Sequence, residues 1–231
     1  MNKICKLSAI ALLASSTSLM AQSKSFEGAS LGISLSAIGA EISGTGTTGN
    51  GSATTNSTSG SIGKVAEIAA IDASYGFAIG PNGLISLGVT YTPATAKAGS
   101  GTYTDGNSSA GGTAQNGRLN VELKDPYTVY IAPTYVISKD AALYAKVGYS
   151  HVDLNVTATD AANLSQKPSD LDGWTYAIGS KTMLTPNLYL GVEASITDYD
   201  AVTATKSVDT ASNITADVKV VQGVVTLGYK F

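Results

Sequence analysis

Four charged residues with the potential for chemistry stand on the polar side of segments in which apolar and polar residues alternate. Lys146 and Glu193 share that side with glycine, serine and tyrosine, and Lys181 and Asp72 have the same parity. Side chains of one parity share one face of a β-strand. Ammonium and carboxylate groups in a narrow, low-dielectric interior must be paired or hydrated. The four residues therefore predict a buried ion network, acting either as a rigid plug or as a gate on a small ion path.

The segments that position these charges predict β-strands connected by tight turns at one end. Turn signals occur at 80–83, 138–140 and 185–187, where proline, asparagine and glycine, or serine and aspartate at 138–140, favour turn conformations. Short connections alternating with long ones are typical of transmembrane β-barrels. The long stretches run roughly over 43–63, 98–118, 158–172 and 204–215. Three turns and four long loops join eight strands, predicted near 26–42, 64–79, 84–97, 119–137, 141–157, 173–184, 188–203 and 216–231.

The polar faces of these strands distinguish a barrel from a soluble sandwich. A sandwich also alternates, but its polar face meets water and carries many charged residues. Here the polar faces are mostly Gly, Ser, Thr and Tyr, which fit a narrow closed interior. Only 13% of all residues are charged, as expected when the apolar face meets lipid. We expect an all-β fold, a closed antiparallel eight-stranded transmembrane barrel. Two interfacial belts are predicted from Tyr75, Phe77, Tyr135, Tyr91, Tyr149 and Trp174.

The first residues predict export from the cytoplasm. Lys3 and Lys6 precede a short apolar stretch at 7–14, the pattern of a secretory signal peptide. This stretch is too short for a transmembrane helix, which needs about 20 apolar residues. We expect a cleavable signal peptide at 1–21 and a barrel domain at 22–231.

The last residues, Leu227-Gly228-Tyr229-Lys230-Phe231, continue an alternating strand whose apolar face holds Tyr229 and Phe231. This ending resembles the C-terminal signature that the outer-membrane assembly machinery reads. Together with the signal, the turns and the alternation, it makes the chain resemble eight-stranded Gram-negative barrels of the outer-membrane-protein-A and opacity-protein type. The resemblance covers essentially all of 22–231. A peptidoglycan-binding domain, carried by some relatives, is expected to be missing.

The resemblance implies a place in the cell rather than an activity. It implies a monomer in the outer membrane, in contact with outer-membrane lipids, lipopolysaccharide and the assembly machinery. Tight turns and both termini would face the periplasm, and the long loops would lie outside the cell. Lumen gates have been proposed in this family, which supports the gate interpretation of the ion network. The plug interpretation rests on size, because eight strands leave an interior just wide enough for side chains.

Cysteine content and charge exclude several classes of function. Cys5 is the only cysteine and lies in the predicted signal peptide, so the mature chain has no thiolate. Loss of Lys3 and Lys6 moves the formal net charge from −3 to −5. A mildly acidic chain has no electrostatic footprint for nucleic acid. No cofactor and no metal ligands are expected.

The lone His151 is the candidate for catalysis, since small outer-membrane barrels include lipid A deacylases and palmitoyltransferases. His151 has outward parity near the outer leaflet, where a deacylase histidine works. The deacylase pattern needs a serine two residues on, and Asp153 stands there. Without a nucleophile in register, the histidine has nothing to activate. No catalytic residue is expected, and His151 is interpreted as a solvated interfacial residue.

The expected function is a structural or surface-exposed role in the outer membrane. A small-solute or ion pore is the alternative, and a lipid A-modifying enzyme is the second alternative. Residues 43–63 contain no charge and no aromatic side chain. Binding energy at interfaces concentrates in Trp, Tyr and Arg, so this stretch weakens an adhesin hypothesis. A host-surface ligand of the long loops stays open.

Overall fold

The strands of this chain close into one antiparallel barrel. The computed structural model describes residues 22–47, 56–60, 66–93, 96–105, 115–159, 164–166, 170–206 and 213–231. The wall consists of β1 (Gly28–Thr47), β3 (Ala66–Ala78), β4 (Gly83–Tyr91), β6 (Gln115–Ser138), β7 (Ala141–Thr159), β9 (Asp170–Met183), β10 (Leu188–Lys206) and β11 (Asn213–Lys230). Strand β11 pairs with both β1 and β10, which closes the sheet. The predicted closed eight-stranded barrel is confirmed.

Three shorter strands extend the wall at the end opposite the tight turns. They are β2 (Asn56–Gly60), β5 (Ala96–Asp105) and β8 (Leu164–Gln166), which pair with β1, β6 and β10 respectively. The stretches predicted as long loops at 43–63 and 98–118 therefore contain paired strand in their described parts, which corrects that prediction. These stretches lack alternation, but backbone groups can pair in a ladder whatever the side chains. The predicted signal peptide lies outside the described residues.

Side chains alternate between the two faces of the wall as the sequence predicts. Inward positions such as Ser86, Lys146 and Ser195 are buried, and their outward neighbours are exposed apolar residues. The predicted outward residues include Leu87, Val89, Leu143, Val147, Leu190, Val192, Val225 and Leu227, all of them exposed. Because an apolar face of this size cannot be left in water, it is the lipid-facing surface. No helix in the described part of the chain is long and apolar enough to cross a membrane.

Aromatic side chains gather at the two ends of the apolar band. Near the tight turns, the Tyr75 and Phe77 rings have centroids 4.7 Å apart. Toward the other end, the Tyr149 and Trp174 rings meet edge to face at 5.8 Å. The residues of the two predicted belts all fall on exposed positions of the outer wall. Amphipathic rings at both edges are typical of interfacial belts in transmembrane barrels.

An apolar floor closes the interior at the tight-turn end. It consists of the buried side chains of Phe26, Leu84, Val136, Ala142, Met183 and Tyr189. Phe26 is brought there by a short 3-10 turn, Gln22–Ser25, which precedes β1. The Ser23 backbone N–H donates to the Pro81 carbonyl at 3.0 Å, and its hydroxyl donates to the Gly80 carbonyl at 2.7 Å. Strand β1 therefore begins at Gly28 rather than at the predicted residue 26, because the preceding residues fold under the barrel.

Candidate functional site in the barrel lumen

An ion pair inside the barrel joins β7 to β10 over the intervening β9. The Lys146 Nζ lies 2.6 Å from the Glu193 Oε2, and each side chain is 10% exposed. The Tyr144 hydroxyl donates to the same carboxylate oxygen at 2.8 Å. The register explains this contact, because Tyr144, Gly179 and Glu193 lie in one row across β7, β9 and β10. The glycine in the middle leaves the tyrosine ring room to reach across.

Asp72 forms a second polar centre in the lumen. The Tyr130 hydroxyl lies 3.0 Å from both carboxylate oxygens of Asp72, and the Thr90 hydroxyl donates to one of them at 2.8 Å. The Lys146 Nζ lies 4.3 Å from the centre of the Tyr130 ring, within the range of a cation–π contact. Tyr130 therefore links the Asp72 carboxylate to the Lys146–Glu193 pair.

Lys181 does not join the ion pair. Its Nζ lies 5.1 Å from the Tyr189 ring centre and 5.8 Å from the Tyr144 ring centre. No carboxylate of the described residues lies within 4.0 Å of it. The structure thus brings together Lys146 and Glu193, connects Asp72 to them through a tyrosine, and holds Lys181 apart against two aromatic faces.

Three inward tyrosines pack over glycines of the neighbouring strand. Each tyrosine and its glycine are direct cross-strand partners: Tyr130 with Gly88, Tyr144 with Gly179, and Tyr189 with Gly228. A Cβ added at Gly88 or Gly179 would lie 2.5 Å from the tyrosine hydroxyl oxygen. Sequence parity identifies Tyr144 and Tyr189 as inward residues. It does not identify these pairs, because the pairing depends on the register between strands.

Hydroxyl groups line the rest of the lumen. Thr128, Ser150, Thr175 and Thr197 form one chain of hydrogen bonds across β6, β7, β9 and β10, with oxygen–oxygen distances between 2.5 and 2.7 Å. These groups border a cavity of about 120 Å³, whose wall also holds Asp72 and the Lys146–Glu193 pair. The cavity is large enough to hold water molecules, so the ion pair is in contact with a hydrated space.

His151 lies on the outer wall, two residues beyond Tyr149. Its Nδ1 is 2.7 Å from the Asp172 Oδ1, and its Nε2 is 3.4 Å from the Asp153 Oδ1. Both ring nitrogens therefore face carboxylates. His151, Asp170 and Asp172 each offer one ligand atom, all within 4.8 Å of one another, so they are a set of described residues that can hold a cation.

Tyr229 and Phe231, the proposed assembly signal, both point outward. Their exposed fractions are 48% and 70%, and their ring centroids are 5.1 Å apart. The Phe231 backbone N–H donates to the Ala29 carbonyl at 2.9 Å. The end of the chain is therefore fastened to the first strand while both rings stay on the lipid face.

Residues 9–231 match the family described as the outer membrane protein β-barrel domain. This chain belongs to that family. The family assigns it to the Gram-negative outer membrane, where its apolar wall contacts lipid. The comparison with curated proteins finds no match.

Solved structures of outer-membrane proteins are similar to this barrel at low sequence identity. OprG from Pseudomonas aeruginosa is 13% identical with a TM-score of 0.54, over 89% of this chain and 97% of that one. OmpT, an outer membrane protease from Escherichia coli, is 12% identical with a TM-score of 0.47, over 88% and 97%. Ail from Yersinia pestis, solved with the heparin analogue sucrose octasulfate, is 13% identical with a TM-score of 0.42, over 89% and 99%. Similarity at this level concerns the fold alone.

Proposed function

We propose that this outer-membrane barrel has a structural or surface-exposed role and carries no catalytic site. The observation that carries the proposal is the closed interior. The Lys146–Glu193 pair occupies the lumen and joins β7 to β10 over β9, with its Nζ and Oε2 atoms 2.6 Å apart, and the apolar floor lies at the tight-turn end. Charges that neutralise each other inside a narrow barrel hold strands together. We therefore assign the Lys146–Glu193 pair, and the Asp72 carboxylate linked to it through Tyr130, a structural role.

The proposed topology follows from the shape of the wall. Removal of residues 1–21 would leave Gln22 as the first residue, next to the turn that it helps to form. The tight turns would face the periplasm, and the extended strands β2, β5 and β8 would stand outside the cell. Tyr229 and Phe231 would be read by the assembly machinery, and the folded monomer would then contact lipopolysaccharide. A host-surface ligand would bind at β2, β5 and β8, the strands that extend the wall.

A small-solute or ion pore is the second candidate. The observation in its favour is the hydroxyl-lined cavity of about 120 Å³, since such a surface suits hydrated ions. Conductance measurements separate the two candidates, because a plugged barrel gives no steady channel steps.

Surface labelling tests the proposed exposure. An epitope inserted beside Asn56, at the start of β2, should be labelled on intact cells. The same epitope between Thr185 and Asn187 should be labelled only after the outer membrane is permeabilised. The reverse pattern would contradict the proposed topology.

A lipid A assay tests the absence of catalysis. Mass spectrometry of lipid A from cells producing the wild type and the His151→Asn variant should give identical acylation patterns. A modification that appears with the wild type and is lost with His151→Asn would contradict the proposal.

A further inference from the structure

A second, smaller cavity lies at the base of the lumen, beside the apolar floor. Its volume is about 20 Å³, and a cavity needs roughly 10–15 Å³ to hold one water molecule. Two lysines, Lys181 and Lys230, line it together with the hydroxyls of Ser86, Thr134 and Tyr189. No carboxylate of the described residues lines it. The cavity therefore offers ammonium and hydroxyl donors, with no described carboxylate in its own lining.

Lys181 borders both this cavity and the larger lumen cavity, whose wall holds Asp72 and Glu193. Its nearest described partners are the ring faces of Tyr189 and Tyr144, and no described carboxylate lies within 4.0 Å. The second lysine adds a further positive charge, because the Lys230 Nζ donates only to the neutral Glu27 carbonyl, at 3.3 Å. An uncompensated charge away from bulk water is costly, and a counter-charge lowers that cost.

The Tyr189 hydroxyl is the second group that lacks a partner. Tyr189 is 3% exposed, and its hydroxyl is the one buried side-chain polar atom of the described residues without a hydrogen-bond partner. The ring is held in place over Gly228, its direct cross-strand partner. Buried hydroxyls in folded proteins are nearly always hydrogen-bonded, so an unpartnered one indicates a bound water or ion.

We propose that this cavity binds one small monovalent anion of the halide class, chloride in the cell, between the Lys181 Nζ and the Tyr189 hydroxyl. Both groups are donors and need an acceptor in the same space. A water molecule would satisfy the hydroxyl but would bring no negative charge into contact with Lys181, which has no described carboxylate within 4.0 Å. The apolar neighbours Phe26 and Met183 suit a weakly hydrated halide, whereas sulfate and phosphate are strongly hydrated and too large for the volume.

The first test is the halide dependence of stability. The full barrel, folded in lipid vesicles, is unfolded with urea in potassium chloride and in potassium gluconate at equal ionic strength. We expect a higher midpoint in chloride and a linkage slope of about one chloride released per molecule unfolded. Tyr189→Phe and Lys181→Met should lose this dependence, and Lys139→Met, at an exposed turn, should keep it.

Two results would overturn the proposal. One is an identical midpoint for the wild type in both salts. The other is a Tyr189→Phe variant that keeps the full chloride dependence. If Lys181→Met fails to fold, Tyr189→Phe still decides, because it removes a single oxygen and keeps the ring over Gly228.

Diffraction from crystals grown in bromide is the second, direct test. We expect an anomalous peak in contact with both the Lys181 Nζ and the Tyr189 hydroxyl. Density at that position with no anomalous signal would identify a water molecule and overturn the proposal.

Discussion

Lys146 and Glu193 depend on each other because each side chain is 90% removed from solvent. Removing a carboxylate from water costs several kcal/mol, and the nearby ammonium and the Tyr144 hydroxyl offset that cost. Deleting one partner leaves the other as an unpaired buried charge, whereas replacing both with apolar residues leaves no buried charge at all. Water in the lumen cavity reduces both the cost of burying these charges and the gain from pairing them.

Glu193→Gln should therefore destabilise the barrel by up to about 3–5 kcal/mol, and by less in proportion to the water in the lumen. The measurement is the urea midpoint of protein folded in lipid vesicles. Lys146→Met combined with Glu193→Leu should recover much of the loss. Asp140→Asn is the matched control, since Asp140 pairs with Lys139 at 3.9 Å on the surface; it should change nothing measurable. Equal midpoints for Glu193→Gln and the wild type would refute the pairing.

The glycines beneath the inward tyrosines give a second prediction at the residue scale. A Cβ at Gly179 would lie 2.5 Å from the Tyr144 hydroxyl oxygen and 2.7 Å from the Val192 carbonyl oxygen. Gly179→Ala should therefore cost about 1–3 kcal/mol in urea unfolding. At Gly191 the nearest atom, a Thr226 carbon, would lie 3.4 Å away, so Gly191→Ala is the matched control and should be nearly neutral. Equal effects at both glycines would show that the tyrosine packing does not constrain the wall.

At the scale of strands, the two faces of each element meet different solvents. Val147 and Leu190 are exposed on the outer wall, while the residues that alternate with the outward ones, such as Lys146, point into the lumen. The pairing register of each strand is therefore fixed, because a shift of one residue would turn the whole apolar face toward the lumen.

Arginine on the lipid face tests this assignment. Val147→Arg or Ile196→Arg, in one row through Tyr176, should cost about 2–4 kcal/mol if the position lies near the bilayer midplane. Thr182→Arg is the depth control: Thr182 is exposed on β9, opposite Ala141 next to the tight turn. It should cost about 0–1 kcal/mol near the interface. Urea unfolding in vesicles measures all three. A cost at Thr182 as large as at Val147 would contradict the assigned depth.

For the molecule as a whole, the wall could be predicted and its interior only in part. Alternation is a local property, so the parity of Lys146 and Glu193 follows from the sequence. Their contact does not, because a two-residue slip between strands preserves every face and moves the charges apart. Parity alone also groups Lys181 with Glu193, although the structure holds the two apart, because parity does not specify the register between strands. The apolar floor was missed because residues 22–25 have no periodicity and contact Pro81, which is distant in the sequence.

Closure of the barrel predicts the effect of shortening the chain. Deleting Phe231 removes an outward ring and the hydrogen bond from its backbone N–H to the Ala29 carbonyl. We expect less folded protein in the outer membrane, measured by heat-modifiable mobility in gels. Phe231→Tyr keeps the backbone and an aromatic ring and should assemble normally. Wild-type levels of folded protein after the deletion would contradict the role of the C-terminal residues.

The closed lumen is the central claim, and single-channel recording in planar bilayers tests it most directly. The purified wild type should give no steady conductance steps, because the Lys146–Glu193 pair and the apolar floor both obstruct the path. Glu193→Gln combined with Leu84→Ala, which weakens both obstructions, should give measurable leakage and shows that the assay detects opening. Steady, reproducible steps from the wild type would contradict the account and establish the chain as a pore.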